Sequence, residues 1–426
     1  MANFNQVYNL VNKVSAMALG ETAVAVTDTT TLVSLGNQVL STANNVDAFY
    51  QALPDVIGRI VSRYQQIKRR TRDIQRSPLD FGIAILEIEV DEIARAKKNR
   101  TWSTSGVNPF ATQVNYDSSN PPQVDDITGT STDEYSDDTH ISASVYSVIA
   151  GWEIDKMIYD RQLKTAFHNE AEMASFINMI FNDMYNGMTI ALNSAEAEAE
   201  CTAIAQEYYA SVDNGGTQKT AVNLAQVYYD TTGTDITSGG TDFESWQTSE
   251  AFLKCSTRKI KTDLKNATQV SNFYTPAATG ASGTPVEREL GDFRIHVLND
   301  FASANEFYLL ANTYHENFVS LGGYSEVVAW NSRGTGATGD TFAEKSKVYI
   351  EHDFNGDGTL DTIQLDNVVA HVFADSRMMS MIDNIRTKSQ YNSIGERTTY
   401  AHKADIGYCV RPKEIGIVYY IAAPTT

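Results

Sequence analysis

The chain has 426 residues, of which 42% are hydrophobic, and 33 Lys+Arg against 53 Asp+Glu leave a formal net charge of −20. That length predicts two or three folded domains at roughly 100–200 residues each, and so acidic a balance argues against a protein that grips nucleic acid by neutralising phosphates. No segment approaches the roughly 18–20 consecutive apolar residues of a membrane helix, and no basic start leads into an apolar block, so no secretory leader is expected. Cys201, Cys255 and Cys409 lie too far apart for a cysteine zinc site or a dense disulfide scaffold, which suits a reducing cytoplasm.

In chain order, the first 50 residues are small and polar with scattered Val and Leu, and they predict an extended or partly helical arm. A helix is expected over 46–76, interrupted or restarted at Pro54, because Phe49, Leu53, Val56, Ile57, Ile60, Val61 and Tyr64 recur at helical spacing. Residues 81–92 alternate like a strand. Charge is segregated: residues 59–76 hold seven bases and one acid, and residues 117–138 hold seven acids and no base. The acidic segment is rich in Ser, Thr, Asn and Pro and cannot bury a core of its own, so it reads as an extended loop. The two segments are either solvated surface or a complementary pair meeting between subunits.

Residues 170–209 form the strongest predicted element. Met173, Phe176, Ile177, Ile180, Met184, Met188, Ala191, Leu192 and Ala195 hold one helical face without a proline, although Gly187 weakens it. A coiled coil is the alternative, but the spacing drifts from a strict heptad. From residue 215 onward, short helices and strands alternate between Gly/Thr/Ser clusters. Strands are expected at 293–298, 306–310, 347–351, 368–373 and 415–421, which gives an α+β architecture with a discontinuous chain path.

One motif points to a metal. Asp353-Phe-Asn355-Gly-Asp357-Gly358-Thr359-Leu-Asp361 fits the oxygen-rich calcium loop DxNxDGxxD, in which alternating acidic positions wrap a hard cation. Asp353, Asn355, Asp357 and Asp361 would ligate Ca²⁺ through side chains and Thr359 through its carbonyl, in a structural role. The twelfth position is Gln364 rather than the Glu of an EF-hand, and the flanks read as strands. The segment thus resembles the β-hairpin calcium loops of integrin-type propeller blades. A polar hairpin turn that uses Asn, Gly and Asp for their backbone freedom is the other reading. Gly334-Thr-Gly336-Ala-Thr-Gly339 satisfies GxGxxG but lacks the strand–helix context of a dinucleotide site. The seven histidines are dispersed, and no nucleophile motif or P-loop is present, so no enzyme activity is expected.

The order of elements (arm, polar loop, very long helix, mixed domain, returning strands) resembles the tailed-phage major capsid proteins of the Hong Kong 97 type, and most closely those of short-tailed phages related to phi29. The residues that carry the resemblance are Gln162-Leu-Lys-Thr-Ala-Phe167, Ser175-Phe-Ile-Asn178, Asn182-Asp-Met-Tyr185 and Glu207-Tyr-Tyr209, with Val297-Leu-Asn-Asp-Phe-Ala-Ser303 as a turn between two strands. The resemblance implies an N-terminal arm and first helix over 1–77 and an extended loop over 78–150. A peripheral domain with a spine helix would follow over 151–215, and an axial domain over 216–318. An insertion with the calcium-like hairpin would occupy 319–372, before a return to the peripheral domain over 373–405 and C-terminal axial strands over 406–426. It further implies hexamers and pentamers of an icosahedral shell in the virion, assembled in the bacterial cytoplasm. Portal, scaffolding or decoration proteins would be partners, DNA would be enclosed without sequence-specific binding, and no membrane is involved. An encapsulin-like bacterial compartment and a calcium-binding adhesion or surface module are the alternatives.

Overall fold

The computed structural model describes residues 4–56, 72–78, 84–90, 141–147, 151–168, 170–213, 218–237, 244–276, 286–307, 323–331, 341–354, 359–382 and 386–425. They fall in two compact units, Met1–Ile83 with Ser147–Thr426, and Ala84–Tyr146.

The N-terminal segment is folded rather than extended. It forms three helices, α1 (Phe4–Leu19), α2 (Thr29–Val39) and α3 (Ala43–Val56). Apolar residues recur along them, and Val11 with Val14, Leu32 with Leu35 and Val39, and Val46 with Phe49 and Tyr50 turn inward and are buried. Asp28 starts α2 with a capping box. Its carboxylate accepts from the Thr31 N–H at 2.7 Å, and the Thr31 hydroxyl accepts from the Asp28 N–H at 3.0 Å. The helix expected over 46–76 is helical as far as Val56, whereas Gln75–Pro78 is strand β1. Most of the basic segment and the whole acidic segment lie outside the described residues.

In the smaller unit, β2 (Ala84–Val90) and β3 (Ile141–Ser147) pair as a two-stranded sheet, in which Leu86, Ile88 and Val145 are exposed. The larger unit continues with β4 (Gly151–Tyr159), α4 (Asp160–Ala166) and α5 (Glu170–Asp213). The expected long helix is thus present, four residues longer than its pattern predicts; its 44 residues span about 66 Å.

Beyond α5 come β5 (Ala221–Asn223), α6 (Leu224–Thr232), α7 (Glu244–Gln247), α8 (Glu250–Ala267), β6 (Phe293–Leu298), α9 (Asn299–Asn305) and β7 (Ser325–Val327). Then follow α10 (Phe342–Lys345), β8 (Val348–His352), β9 (Asp361–Leu365), β10 (Val368–Ala374), β11 (Met378–Ile382), β12 (Arg386–Asn392), β13 (Arg397–Val410) and β14 (Gly416–Tyr420). The strands expected near 293, 347, 368 and 415 therefore form. Of the strand expected over 306–310, Glu306 and Phe307 instead extend the helical end of α9, and 308–310 lie outside the described residues. Val297–Ser303 accordingly runs from strand into helix, not between two strands.

Two five-stranded sheets carry the unit. One has the order β1-β11-β13-β12 with β4 also on β13; the other has the order β5-β14-β10-β6-β7. The second sheet takes β10 from across the expected boundary at residue 372. Strand β10 is buried at all seven positions because it is central and covered on both faces, which is why VVAHVFA reads as a continuous apolar run. Alternation along its neighbours separates the two faces. Ile295, Val297, Ile417 and Tyr419 pack with α6, α8 and α9 residues such as Leu224, Phe252, Ile260 and Phe301. Leu298 and Val418 turn the other way and pack with Cys201 and Ile204 of α5.

Candidate functional site

The hairpin predicted around residue 353 exists. Strands β8 and β9 pair antiparallel, with His352 opposite Asp361 at the open end. Asp353 leaves β8 there, and Thr359 precedes β9. The Asp361 carboxylate accepts a hydrogen bond from the Phe354 N–H at 3.2 Å, tying the two ends of the loop together. The Phe354 ring stacks on Tyr209 of α5 at 5.4 Å and meets His352 edge-on at 5.0 Å. Asn355 and Asp357 lie outside the described residues. Among those described, no three His, Cys, Asp or Glu side chains are grouped to hold a metal ion. The Gly334–Gly339 segment also lies outside them.

The densest assembly of charge is elsewhere, where α5 crosses the second sheet. Glu196, Glu200 and Glu207 recur at helical spacing on one face of α5, and all three are buried. Opposite them, His296 of β6 and His371 of β10 are direct partners in the antiparallel register. Both therefore project from the same face of the sheet toward the helix. His296 Nδ1 lies 2.6 Å from Glu200 Oε1, and its Nε2 lies 3.0 Å from Asp73 Oδ2. His371 Nδ1 lies 3.2 Å from the same Glu200 oxygen, and its Nε2 lies 3.2 Å from Glu207 Oε1. Phe373 shields both rings, edge-on to His296 at 5.0 Å and stacked on His371 at 4.6 Å.

Two guanidinium groups complete the cluster. Arg72 Nη1 lies 2.6 Å from Glu200 Oε2, its Nη2 donates to the Ala329 carbonyl at 2.8 Å, and its backbone N–H donates to Glu196 Oε2 at 3.3 Å. Arg377 lies 3.5 Å from Glu207 Oε1, and it donates to Gln206 Oε1 at 2.9 Å and to the Arg411 carbonyl. Gly416 makes room for the Glu207 carboxylate, since a Cβ there would meet Oε1 at 1.7 Å.

The electrostatics follow from this geometry. Burial alone would push His296 down, but the carboxylates of Glu200 and Asp73 outweigh it and raise the imidazole to about 9. His371 is likewise raised, burial being overcome by Glu207 and Glu200. Burial opposes the charge of Glu200, yet His296 and Arg72 hold its carboxyl well below the usual range. The hydrogen bond from His296 is the main cause that lowers Asp73.

Sequence reasoning passed over this site because its members come from five separated segments. Local signals exist: a lone His inside each of the apolar runs RIHVL and VVAHVFA, and acids four and eleven positions apart along the alanine-rich part of α5. The face of β10 that carries His371 is otherwise apolar, with Val369 and Phe373, whereas His296 shares its face of β6 with Arg294.

Comparison with known proteins bears on the whole chain. It matches the Phi29-like phage major capsid protein family over residues 11–418. A chain in the capsid structure of Staphylococcus phage Andhra is similar over 85% of this chain and 88% of its own, at 11% identity and a TM-score of 0.47. A chain in the structure of head fiber and inner core protein gp22 of native bacteriophage P68 is similar over 85% and 89%, at 10% identity and 0.47. For the asymmetric unit of the bacteriophage PhiM1 mature capsid the shares are 86% and 90%, with 9% identity and 0.42. No curated protein sequence matches.

Proposed function

The chain belongs to the Phi29-like phage major capsid protein family, and from that premise we propose that the shell it forms consists of hexamers and pentamers and encloses double-stranded DNA. It is a structural, shell-forming subunit of the virion with a Hong Kong 97-type fold, and α5 is its spine. The observation that carries this reading is the family match over residues 11–418. Among the described residues no helix is long and apolar enough to cross a membrane.

The finer organisation is inferred. Residues 151–215 and 373–405 serve as the peripheral domain; what supports this is that β4, β12 and β13 share one sheet with α5 packed nearby. Residues 216–318 and 406–426 serve as the axial domain, supported by β5, β6 and β14 sharing the other sheet. The loop of 78–150 reaches a neighbouring subunit, supported by the exposed Leu86, Ile88 and Val145 on its paired strands. The net charge of −20 keeps the wall from adhering to packaged DNA. No catalysis is assigned: Glu200, Glu207 and His371 are 0% exposed, and a catalytic group must touch its substrate. Portal, scaffolding and decoration proteins are the expected partners, and assembly takes place in the bacterial cytoplasm.

Calcium is proposed for the 353–361 hairpin, held by Asp353, Asn355, Asp357, Thr359 and Asp361. Support comes from their oxygen-donor spacing and from the pairing of β8 with β9, which flank the segment. There the ion would supply rigidity.

Expression of the chain alone, with sedimentation and imaging of the fast fraction with and without chelator, tests both readings. Shells or capsomer-sized rings are expected, with a lower particle melting temperature in chelator. A monomer that stays monomeric with co-expressed scaffold overturns the shell reading. An unchanged melting temperature removes the calcium.

A further inference from the structure

The ionic cluster does more than join helix to sheet, because it also holds a piece of chain. Arg72 and Asp73 come from the segment that precedes β1, and they reach the cluster from outside both α5 and the sheet. Arg72 is held at its guanidinium by Glu200 and Ala329 and at its backbone by Glu196. The Asp73 carboxylate accepts from the Ser325 hydroxyl at 3.2 Å and faces His296 Nε2 at 3.0 Å. Asp73 adopts φ 51°, the left-handed region that non-glycine residues seldom occupy. That conformation persists only where surrounding contacts impose it.

The hydrogen-bond roles fix the charge state. Each of the two rings has a carboxylate oxygen against both of its nitrogens. A carboxylate only accepts, so each ring nitrogen must carry a proton, and only the imidazolium form donates from both. Four carboxylates (Asp73, Glu196, Glu200, Glu207) then face four cations (Arg72, Arg377, His296, His371), with Asp73 at the rim, its side chain 35% exposed. Removing the two imidazole protons would leave the fully buried Glu200 and Glu207 short of counter-charge, which a protein interior does not tolerate without rearrangement.

We propose that this cluster is a proton-operated clasp for residues 72–74: with His296 protonated it fastens the segment between α5 and the second sheet through Asp73, and loss of that proton loosens it. The other ionisable groups around it do not titrate in the same range. The Cys201 thiol, on the same helix, is pushed up to about 12 by burial, and burial holds the Tyr419 phenol on β14 well above its ordinary value. Arg294 on β6 acts on Asp73 only as a further fixed positive charge. The direction follows from linkage. Asp73 is one of the groups that raise His296, so the imidazole binds its proton more tightly with the segment in place, and that contribution is lost as pH rises through about 9. The carboxylates act oppositely: Glu200 and Asp73 are held below their ordinary range, so closure also weakens on strong acidification. The clasp is firmest in mildly acidic to neutral solution and opens on the alkaline side.

This inference concerns the fold of one subunit, so the test reads the chain itself and does not depend on whether shells form. In the full-length wild type, histidine hydrogen exchange read by mass spectrometry is expected to place the His296 midpoint near 9. A midpoint at or below the ordinary value of 6.5 overturns the clasp. In the same samples, amide exchange of a peptide covering 72–78, corrected for intrinsic rate, is expected to lose protection between about pH 7 and 9, by at most about tenfold per pH unit, the limit for one proton released per opening. A peptide from the β12–β13 hairpin should stay constant over that range. Protection at 72–78 that is independent of pH, or that falls in parallel with the hairpin, overturns the proposal. His296→Gln should show low protection of 72–78 already at pH 7, with no further pH dependence; a variant that keeps the wild-type pH profile overturns it as well.

Discussion

Helix α5 is seated in two different ways along its length. Its first part lies in an apolar core, where Met173, Phe176 and Met184 meet Val14, Leu35, Phe49, Phe167 and Tyr400. Its later part presents Glu196, Glu200 and Glu207 to a sheet that answers with His296 and His371. The first seat is non-directional: its strength scales with apolar area removed from water, and it tolerates any well-packed replacement of similar volume. The second is directional and unforgiving, because each partner removed strands another buried charge. A rigid spine thus gains bulk stability at one end and a fixed rotational and axial register at the other.

The largest expected effect strikes the ionic seat. Glu200→Gln leaves His296, His371 and Arg72 without their shared counter-charge, and should cost about 3–5 kcal/mol in denaturant unfolding of the full chain. A loss under about 1 kcal/mol would show that α5 is held by apolar contact alone, and would remove the contrast between the seats.

Leu35→Ala probes the other seat. Leu35 is 0% exposed among the helices against α5, and its truncation should cost about 3 kcal/mol through lost transfer energy and the cavity left behind. The diagnostic is its pH profile: the cost of Leu35→Ala should stay level between about pH 6 and 9, whereas that of Glu200→Gln should shrink as His296 loses its proton. Equal profiles for the two variants would break the distinction.

Gly416→Ala sharpens the picture within the ionic seat, because its added methyl would lie 1.7 Å from Glu207 Oε1 and push that carboxylate off His371. A cost of about 1–3 kcal/mol is expected. It should shrink in the Glu207→Ala background, where the clash is gone; strict additivity in this double-mutant cycle would mean the methyl acts elsewhere.

The smallest effect belongs to a pair that belongs to neither seat. Lys156 and Asp183 form an ion pair with side chains 30% and 66% exposed. Lys156→Ala should cost less than about 1 kcal/mol, and still less at high salt. A larger, salt-resistant loss would mean that surface charge also contributes to seating the helix.

The elements with a strong local period were legible from residue order. Helix α5 was written in its three- and four-residue spacing, β6 and β10 in short apolar runs, and the β8–β9 hairpin in the DxNxDG turn between two alternating segments. The N-terminal helices were less legible, since polar residues interrupt a period that buries Val11, Val14, Leu32, Leu35 and Val39 while Met17 and Val33 stay exposed. The order of elements also carried the family resemblance, which the match over residues 11–418 bears out.

The periodic elements, the acidic charge balance and the capsid class are thus legible in residue order. Only the tertiary structure decided which dispersed ionisable residues meet. His296 and His371 are 75 positions apart, yet the register of β10 on β6 makes them neighbours, and helical spacing turns three glutamates of α5 toward them. Backbone hydrogen bonding and side-chain period are local and can be read from a window of residues. A buried charge is tolerable only through partners that the fold brings from elsewhere, so its meaning is not written in its own neighbourhood.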